Sequence, residues 1–233
     1  MRRLRRLSER AAVRQKHHAF SRIESHRHLA GYGTLVLAGG YREAGESGRW
    51  LVEPGMVVVH AAGEAHADWF GGRLTDLIDF EVASGVAAGV YECEDADALA
   101  NALLSHHSGW PESALAPLPG LADWPDMLAA DLRRNPGLCL GDWADAHGLR
   151  AETVSRGFSQ AYGVSPKRFR LGLRISGAFR SLSSGDHALA DVAYANGFAD
   201  QPHMNRALKA ATGSTPAQLR RVKSVQEESV RFA

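Results

Sequence analysis

Cysteine, long apolar runs and net charge are all scarce in this sequence. Its 233 residues include only Cys93 and Cys139, which form neither a disulfide framework nor a CxxC pair, so a reducing compartment fits. No apolar run approaches the roughly 20 residues that are needed to cross a bilayer, and the Arg-rich N-terminus lacks the apolar region of a signal peptide. We therefore expect a cytoplasmic protein with no membrane partner.

Sequence motifs of common enzymes are missing as well. The chain has no phosphate-binding loop and no recognisable Ser/His/Asp or Cys/His arrangement for nucleophilic catalysis. These absences favour a binding protein over a hydrolase or a nucleotide-dependent enzyme.

The net charge of +1 conceals an uneven distribution of charged residues. Residues 43–130 hold two Lys and Arg against fifteen Asp and Glu, whereas residues 131–223 hold fourteen against seven. A basic C-terminal third behind an acidic middle is typical of proteins that bind nucleic acid.

The chain changes from a strand pattern to a helix pattern. From about Phe20 to Val86, short β-rich runs such as GTLVLAGGY and GMVVVHAAG alternate with Gly, Pro and charged turns, which predicts a small barrel or sandwich. From Trp124 to Val222 the apolar spacing is helical throughout, and Ser165-Pro166 starts a helix of about 18 residues.

Two stretches of the helical part resemble each other at an offset of 49 or 50 residues. They are CLGDWADAHGLRAETVSRGFSQAYGVSP and ALADVAYANGFADQPHMNRALKAATGSTP. In both, a small Ala lets two helices cross closely and a Gly permits the tight turn between them, as in a helix-turn-helix. The joining helix spans roughly 27 Å, which would hold two reading helices about one duplex turn apart, near the ~34 Å between successive major grooves.

The second unit resembles the signature of the AraC/XylS family of bacterial transcription regulators. The resemblance covers about residues 131–222 and includes Gly197-Phe198 and the pair Gly213 and Pro216. The first unit departs from the pattern, because Arg150-Ala151 stands in place of a usual cap. Gly157 also replaces an apolar residue there, at roughly 0.5–1 kcal/mol cost to a helix interior.

The resemblance implies a set of DNA contacts in each unit. Groove-facing positions are occupied by Glu152, Ser155, Arg156, Gln201, Pro202, Asn205 and Arg206. Arg can pair with guanine, and Asn or Gln with adenine, in the major groove. The basic residues near helix starts suit phosphates; they are Arg150, Lys167, Arg168 and Arg170.

Histidines are concentrated in the front half, in a pattern that resembles the cupin family. His26 and His28 form an HxH pair, and His66 ends a stretch in which Gly55 and Gly63 match the second cupin motif. Three imidazoles are the usual ligand number of an open metal site. The resemblance implies a divalent transition metal (Zn, Ni or Fe) or an organic effector, with Tyr32 and His60 in the effector pocket. The Glu that usually follows HxH is absent, since Tyr32-Gly33 stands there.

Together these patterns predict an α+β multidomain chain. A small cupin-like β-barrel or jelly roll is expected in front of an all-α domain with two helix-turn-helix units and a linker helix. The predicted segments are a basic N-terminal arm (1–19), the effector-binding barrel (20–86), a helical connector or dimerisation segment (87–130), the tandem helix-turn-helix domain (131–223) and a tail (224–233).

The predicted function is a transcription regulator that binds double-stranded DNA over two successive major-groove turns. A small molecule or a metal in the barrel would control it, and the cofactor itself is left open. Further predicted partners are a second copy of the chain and, for an activator, RNA polymerase. Two alternatives remain: a metal-dependent cupin enzyme with a helical appendage, and a front half that serves dimerisation alone through the helix that begins at Ala96.

Overall fold

The computed structural model describes residues 12–82, 86–105 and 115–220. The first half forms two antiparallel sheets, with strand orders β1-β8-β3-β6-β9-β10 and β2-β7-β4-β5. The strands are β1 (Val13–His17), β2 (Arg22–Arg27), β3 (Tyr32–Ala38), β4 (Tyr41–Gly45), β5 (Arg49–Val52), β6 (Met56–His60), β7 (Ala65–Phe70), β8 (Thr75–Glu81), β9 (Gly89–Cys93) and β10 (Leu115–Pro117).

The two sheets enclose a shared core. Val36, Val58 and Leu77 of the six-stranded sheet pack with Tyr41 and Phe70 of the four-stranded sheet. Since side chains alternate along a strand, the intervening residues of the six-stranded sheet point outward. Leu35, Val57 and Ile78 lie on that outer face, which helix α1 (Ala96–Leu104) covers.

Three strands lie where the sequence predicted other structure. The predicted basic arm contains β1, which pairs along its whole length with β8, from Val13 opposite Asp79 to His17 opposite Thr75. The predicted connector contains β9 and β10, which extend the larger sheet beside β6. The barrel prediction of 20–86 was therefore too narrow, because charged and short strands gave little apolar alternation to detect.

The second half is all-helical in its described part. Its helices are α2 (Trp124–Arg134), α3 (Leu140–Ala146), α4 (Ala151–Tyr162), α5 (Pro166–Ser184), α6 (Leu189–Ala195) and α7 (Gln201–Thr212), and residues 216–220 are also helical. The predicted β-rich front and all-α back, with two helix-turn-helix units and a linker helix, are confirmed. The tail at 224–233 lies outside the described residues.

The two units, α3–α4 and α6–α7, are built alike. Gly148 and Gly197 have φ of 63° and 72° in the turns, and left-handed Gly163 and Gly213 end the second helix of each. Only glycine adopts such backbone without strain. Helix α5 joins the units and contributes Phe169 to the first core and Ile175, Ala178 and Phe179 to the second.

The outer face of the four-stranded sheet packs on the helical half. Ala44 joins the core of the first unit, and the Trp69 ring lies 2.9 Å from the position that a Cβ on Gly163 would take. A buried ion pair adds to this contact: Arg49 of β5 donates to Asp126 of α2 at 3.0 and 2.8 Å, and Tyr162 of α4 donates to the same carboxylate at 2.9 Å.

Candidate functional sites

The reading face of the second unit is set by the cap and the buried stripe of α7. Asp200 accepts a hydrogen bond from the amide N–H of His203, which fixes the helix start. Met204 and Leu208 are fully buried against the unit's core. Helical spacing therefore directs the intervening residues outward: Pro202 and Arg206 are exposed, and Gln201 and Asn205 are half-buried.

Helix α4 presents the matching face of the first unit. Val154 and Phe158 are buried, whereas the predicted groove residues Glu152, Ser155 and Arg156 are exposed. Arg150 stands at the N-cap position without a side-chain capping bond and is exposed. Neither Arg156 nor Arg206 has an ion-pair partner within the described ranges, so both guanidinium groups are available to a ligand.

A basic cleft lies along the first half of α5, between α3 and the start of α7. It has a volume of about 720 Å³ and is lined by Leu140, Ser165, Lys167, Arg168, Arg170, Leu171, Arg174 and His203. Burial, and then the charge of Arg174, lower the pKa of the Arg170 guanidinium. The described lining holds four cations and no carboxylate, so the cleft attracts an anion.

Residues 143–222 match the family model for a helix-turn-helix domain. The matched range begins in α3 and takes in α4, α5, α6 and α7. Residues 143–222 form a helix-turn-helix domain.

Relatives that match this domain are transcription regulators. The transcriptional activator RhaS of Pectobacterium carotovorum is 32% identical over 88 residues, which cover 38% of this chain and 32% of RhaS. The transcriptional activator NphR of a Rhodococcus species is 28% identical over 175 residues, which cover 72% of this chain and 52% of NphR. This chain therefore spans about a third of RhaS and about half of NphR.

Among solved structures, the fatty-acid-bound ToxT of Vibrio cholerae has a TM-score of 0.43 with 10% sequence identity, and the alignment covers 89% of this chain and 93% of ToxT. No helix within the described ranges is long and apolar enough to span a membrane.

Three histidines meet at one end of the front half. His26 of β2 lies directly opposite His66 of β7 in the sheet register, and His28 follows β2. One ring nitrogen from each of the three residues lies within 4.8 Å of the others, and His28 and His66 are buried. The structure thus brings together the histidines that the sequence predicted as metal ligands.

Neighbouring groups orient two of these rings. Nδ1 of His26 is 3.0 Å from the carbonyl oxygen of Glu24, so Nδ1 carries the proton and leaves Nε2 as the ligand atom. Nε2 of His66 is 3.0 Å from the Tyr32 hydroxyl. Its buried Nδ1 has no hydrogen-bond partner within the described ranges. A histidine that binds a metal typically has one ring nitrogen hydrogen-bonded to an outer group and the other directed at the metal.

The barrel interior beside this cluster is unusually polar. His60 stacks on His66, with ring centroids 4.0 Å apart, and on Tyr32 at 4.6 Å. Buried Glu43 approaches His60 at 3.6 Å, and buried Asp68 faces Glu43 across β4 and β7. Tyr32 and His60 therefore lie beside the histidine cluster. The sequence analysis missed the two acids, although their alternation within β4 and β7 was a usable signal.

Burial determines the protonation of this interior. Burial lowers the pKa of His60 to about 3 and lowers that of His66 as well, with the other histidines adding to both shifts. Burial, and then the charge of Asp79, raise the pKa of Asp68 to about 8. Neutral imidazole is the form that binds metals, so burial holds His66 in its ligating state near neutral pH.

Proposed function

We propose that this chain is a sequence-specific DNA-binding transcription regulator whose front half senses an effector. The match of residues 143–222 to a helix-turn-helix domain is the observation that carries the proposal. It is supported by two reading helices that carry exposed Arg156 and Arg206 and, on α7, half-buried Gln201 and Asn205, and by a basic cleft along the helix that joins them.

The proposed contacts divide into base readers and phosphate anchors. Arg206 and Arg156 would each pair with guanine, and Asn205 and Gln201 with adenine. Pro202, Glu152 and Ser155 complete the groove-facing set. Phosphates would be held by Arg150, Lys167 and Arg168, with Arg170 and Arg174 in the cleft between the two grooves.

The proposed effector site is the histidine cluster. His26, His28 and His66 would hold a divalent transition metal such as Zn²⁺, Ni²⁺ or Fe²⁺ through three neutral nitrogens, which leaves a position open for water or a small molecule. Tyr32 would orient His66 as an outer partner, and His60 would line the pocket. No step of catalysis is assigned to this site.

Further partners follow from the relatives and from the fold. RhaS and NphR are named transcriptional activators, so RNA polymerase is the proposed partner of the DNA-bound form. The proposed location is the cytoplasm. A homodimer would use the outer face that carries α1.

DNA selection tests the regulator proposal against a cupin enzyme. Duplexes selected from a random pool should converge on one motif that covers two successive major grooves. Binding to them should fall steeply with salt, because the phosphate contacts release counterions. Failure to enrich any sequence, together with metal-dependent turnover of a small molecule in the absence of DNA, would favour the enzyme.

Metal analysis tests the effector site. Protein purified without a His-tag or chelator should carry or take up Zn²⁺ or Ni²⁺ at pH 7.5. The double change His26→Ala and His28→Ala should abolish uptake, whereas His18→Ala, outside the cluster, should not. A wild-type chain that takes up neither metal would leave the histidines as lining of a pocket for an organic effector.

A further inference from the structure

The linker helix α5 carries a buried polar contact with the strand that holds the metal histidines. Arg27 lies between His26 and His28, but its side chain projects to the opposite face of the sheet, toward α5. It is buried and pairs with Glu46 at 2.7 Å. Its guanidinium also donates to the Ser176 hydroxyl and, at 3.4 Å, to the Gly172 carbonyl, both on α5.

A short relay of hydrogen bonds leads from His28 to the same helix. The Gly63 N–H donates to the His28 carbonyl at 2.8 Å, and the Ser176 hydroxyl lies 3.0 Å from the Gly63 carbonyl oxygen and also within reach of the Glu46 carboxylate. Arg27 donates to that carbonyl as well. One residue, Gly63, in the turn that joins β6 to β7, thus separates the main chain of a metal histidine from α5.

Small residues make this contact close. A Cβ on Gly63 would lie 2.5 Å from the Phe179 ring of α5, and a Cβ on Gly172 would lie 2.7 Å from the Glu46 carboxylate. Both sides are therefore packed without spare room. A shift of His28 or of the Gly63 turn displaces α5 or breaks these hydrogen bonds, since packed interiors transmit strain.

Metal binding would supply such a shift. Three nitrogens bound at about 2.0–2.1 Å around a tetrahedral metal are roughly 3.4 Å apart. The nitrogens of the cluster lie within 4.8 Å of one another, so an ion would draw the rings closer. Because β2 and β7 are already hydrogen-bonded neighbours, the movement would fall on His28, beyond the end of β2. The Gly63 turn would move with His28, because its N–H is bonded to the His28 carbonyl.

We propose that Arg27, Glu46, Gly63 and Ser176 couple the histidine cluster to α5, so that metal occupancy alters the helix that spaces the two reading helices. This inference rests on the metal site of the proposed function. It assigns the signal to a named contact, which we call the α5 clamp, and not to a general rearrangement of the front half.

Hydrogen exchange on the full chain, with Zn²⁺ as the probe, tests the α5 clamp. Saturating Zn²⁺ should slow exchange of the α5 amides around Ser176 by about threefold or more, as expected for a tightened local opening equilibrium. Zn²⁺ should also change the affinity for a selected duplex by about fivefold or more, the lower end of typical coupling.

Ser176→Ala removes the hydroxyl that bonds Gly63 and should abolish both responses while Zn²⁺ affinity stays within about threefold of wild type, because no ligand is touched. Ser184→Ala, on the same helix and bonded only to Ser181 within the described ranges, is the matched control and should respond like wild type. The pair Arg27→Met with Glu46→Met removes both buried charges together and should give the Ser176→Ala result.

The outcomes separate the two proposals. Zn²⁺ binding without any change at α5, or an unchanged response in Ser176→Ala, overturns the clamp and leaves the metal site intact. Absence of Zn²⁺ and Ni²⁺ binding in the wild-type chain overturns the metal site and the clamp together, while DNA binding still tests the regulator.

Discussion

At the scale of single residues, Arg206 and Lys209 offer a direct comparison, because both are exposed on α7. If Arg206 reads a base, Arg206→Ala should weaken binding to a selected duplex by about 1–3 kcal/mol and affect a random duplex much less. Lys209→Ala, farther along the helix, should weaken both duplexes equally. Equal losses for Arg206→Ala on both duplexes would show that its guanidinium contacts only phosphate.

Gly157 has a structural reason that the sequence did not reveal. A Cβ at this position in α4 would lie 2.4 Å from the Trp124 ring of α2. Gly157→Ala should therefore destabilise the chain by about 1–3 kcal/mol through overpacking, although alanine favours helices.

Gly141 provides the control for that substitution. A Cβ there meets only the Cys139 sulfur, at 3.8 Å, so Gly141→Ala should raise the free energy of unfolding by up to about 1 kcal/mol. Urea denaturation of both variants measures the contrast. A stabilised Gly157→Ala variant would mean that Trp124 moves aside without cost.

Residue-scale prediction from sequence was strong wherever the pattern was local. The caps Asp200 and Ser165 and the turn glycines follow from neighbouring residues, and the structure has them in those roles. The contact between Gly157 and Trp124 is a meeting of distant residues. From the sequence alone, Gly157 could therefore be predicted only to lower the stability of helix α4.

At the scale of elements, a break in helix α5 tests most directly whether it sets the spacing of the two reading helices. Ile175 is buried near its middle. Ile175→Pro removes a backbone donor and clashes with the preceding turn, at about 3 kcal/mol or more. The full chain should then lose its footprint over two successive grooves while the circular dichroism of the front sheets persists.

Ile175→Ala is the matched variant for that test, since it loses the same packing but keeps the helix. It should retain both footprints at reduced stability. If Ile175→Pro also protects two successive grooves, α5 does not act as a rigid spacer.

Elements were predictable in proportion to their apolar periodicity. The amphipathic helices α4, α5 and α7 follow directly from the sequence. The strand β1, with sequence VRQKH, carries mostly charged and polar residues and is held by pairing with β8. Its Arg14 forms a hydrogen-bonded ion pair with Asp76 at 2.8 Å, a long-range contact that a local reading takes for an unpaired basic arm.

The proximity of the three histidines was only partly predictable. The HxH spacing places His26 and His28 on one face, but the meeting with His66 depends on the register between β2 and β7. The α5 clamp was beyond sequence reasoning, because Arg27 and Ser176 are 149 residues apart.

At the scale of the whole molecule, the Arg49–Asp126 pair joins the front sheets to the helices. Burial alone raises the pKa of Asp126, but hydrogen bonds from Arg49, the Asp123 amide and Tyr162 outweigh it and hold that pKa below 3.8. A depressed folded pKa contributes stability that is present above the unfolded value and is lost as pH falls through the folded value.

Asp126→Asn should therefore lower the free energy of unfolding at pH 7 by about 3 kcal/mol, the cost of breaking a buried pair. The difference from wild type should shrink only below about pH 3.8. Asp145→Asn, which changes an exposed carboxylate, should stay within about 0.5 kcal/mol of wild type. Urea titrations from pH 3 to 7 measure both, and a difference that is constant across that range contradicts the assignment.

The two reading helices share a backbone but not a set of side chains. At matching positions, α4 carries Glu152 and Ser155 where α7 carries Pro202 and Asn205. On the proposed function, one chain therefore reads two unlike half-sites in an order that α5 fixes. A single bound molecule then has a defined orientation along the duplex. Inverting its site turns the molecule round and aims the front sheets at the other flank of the promoter.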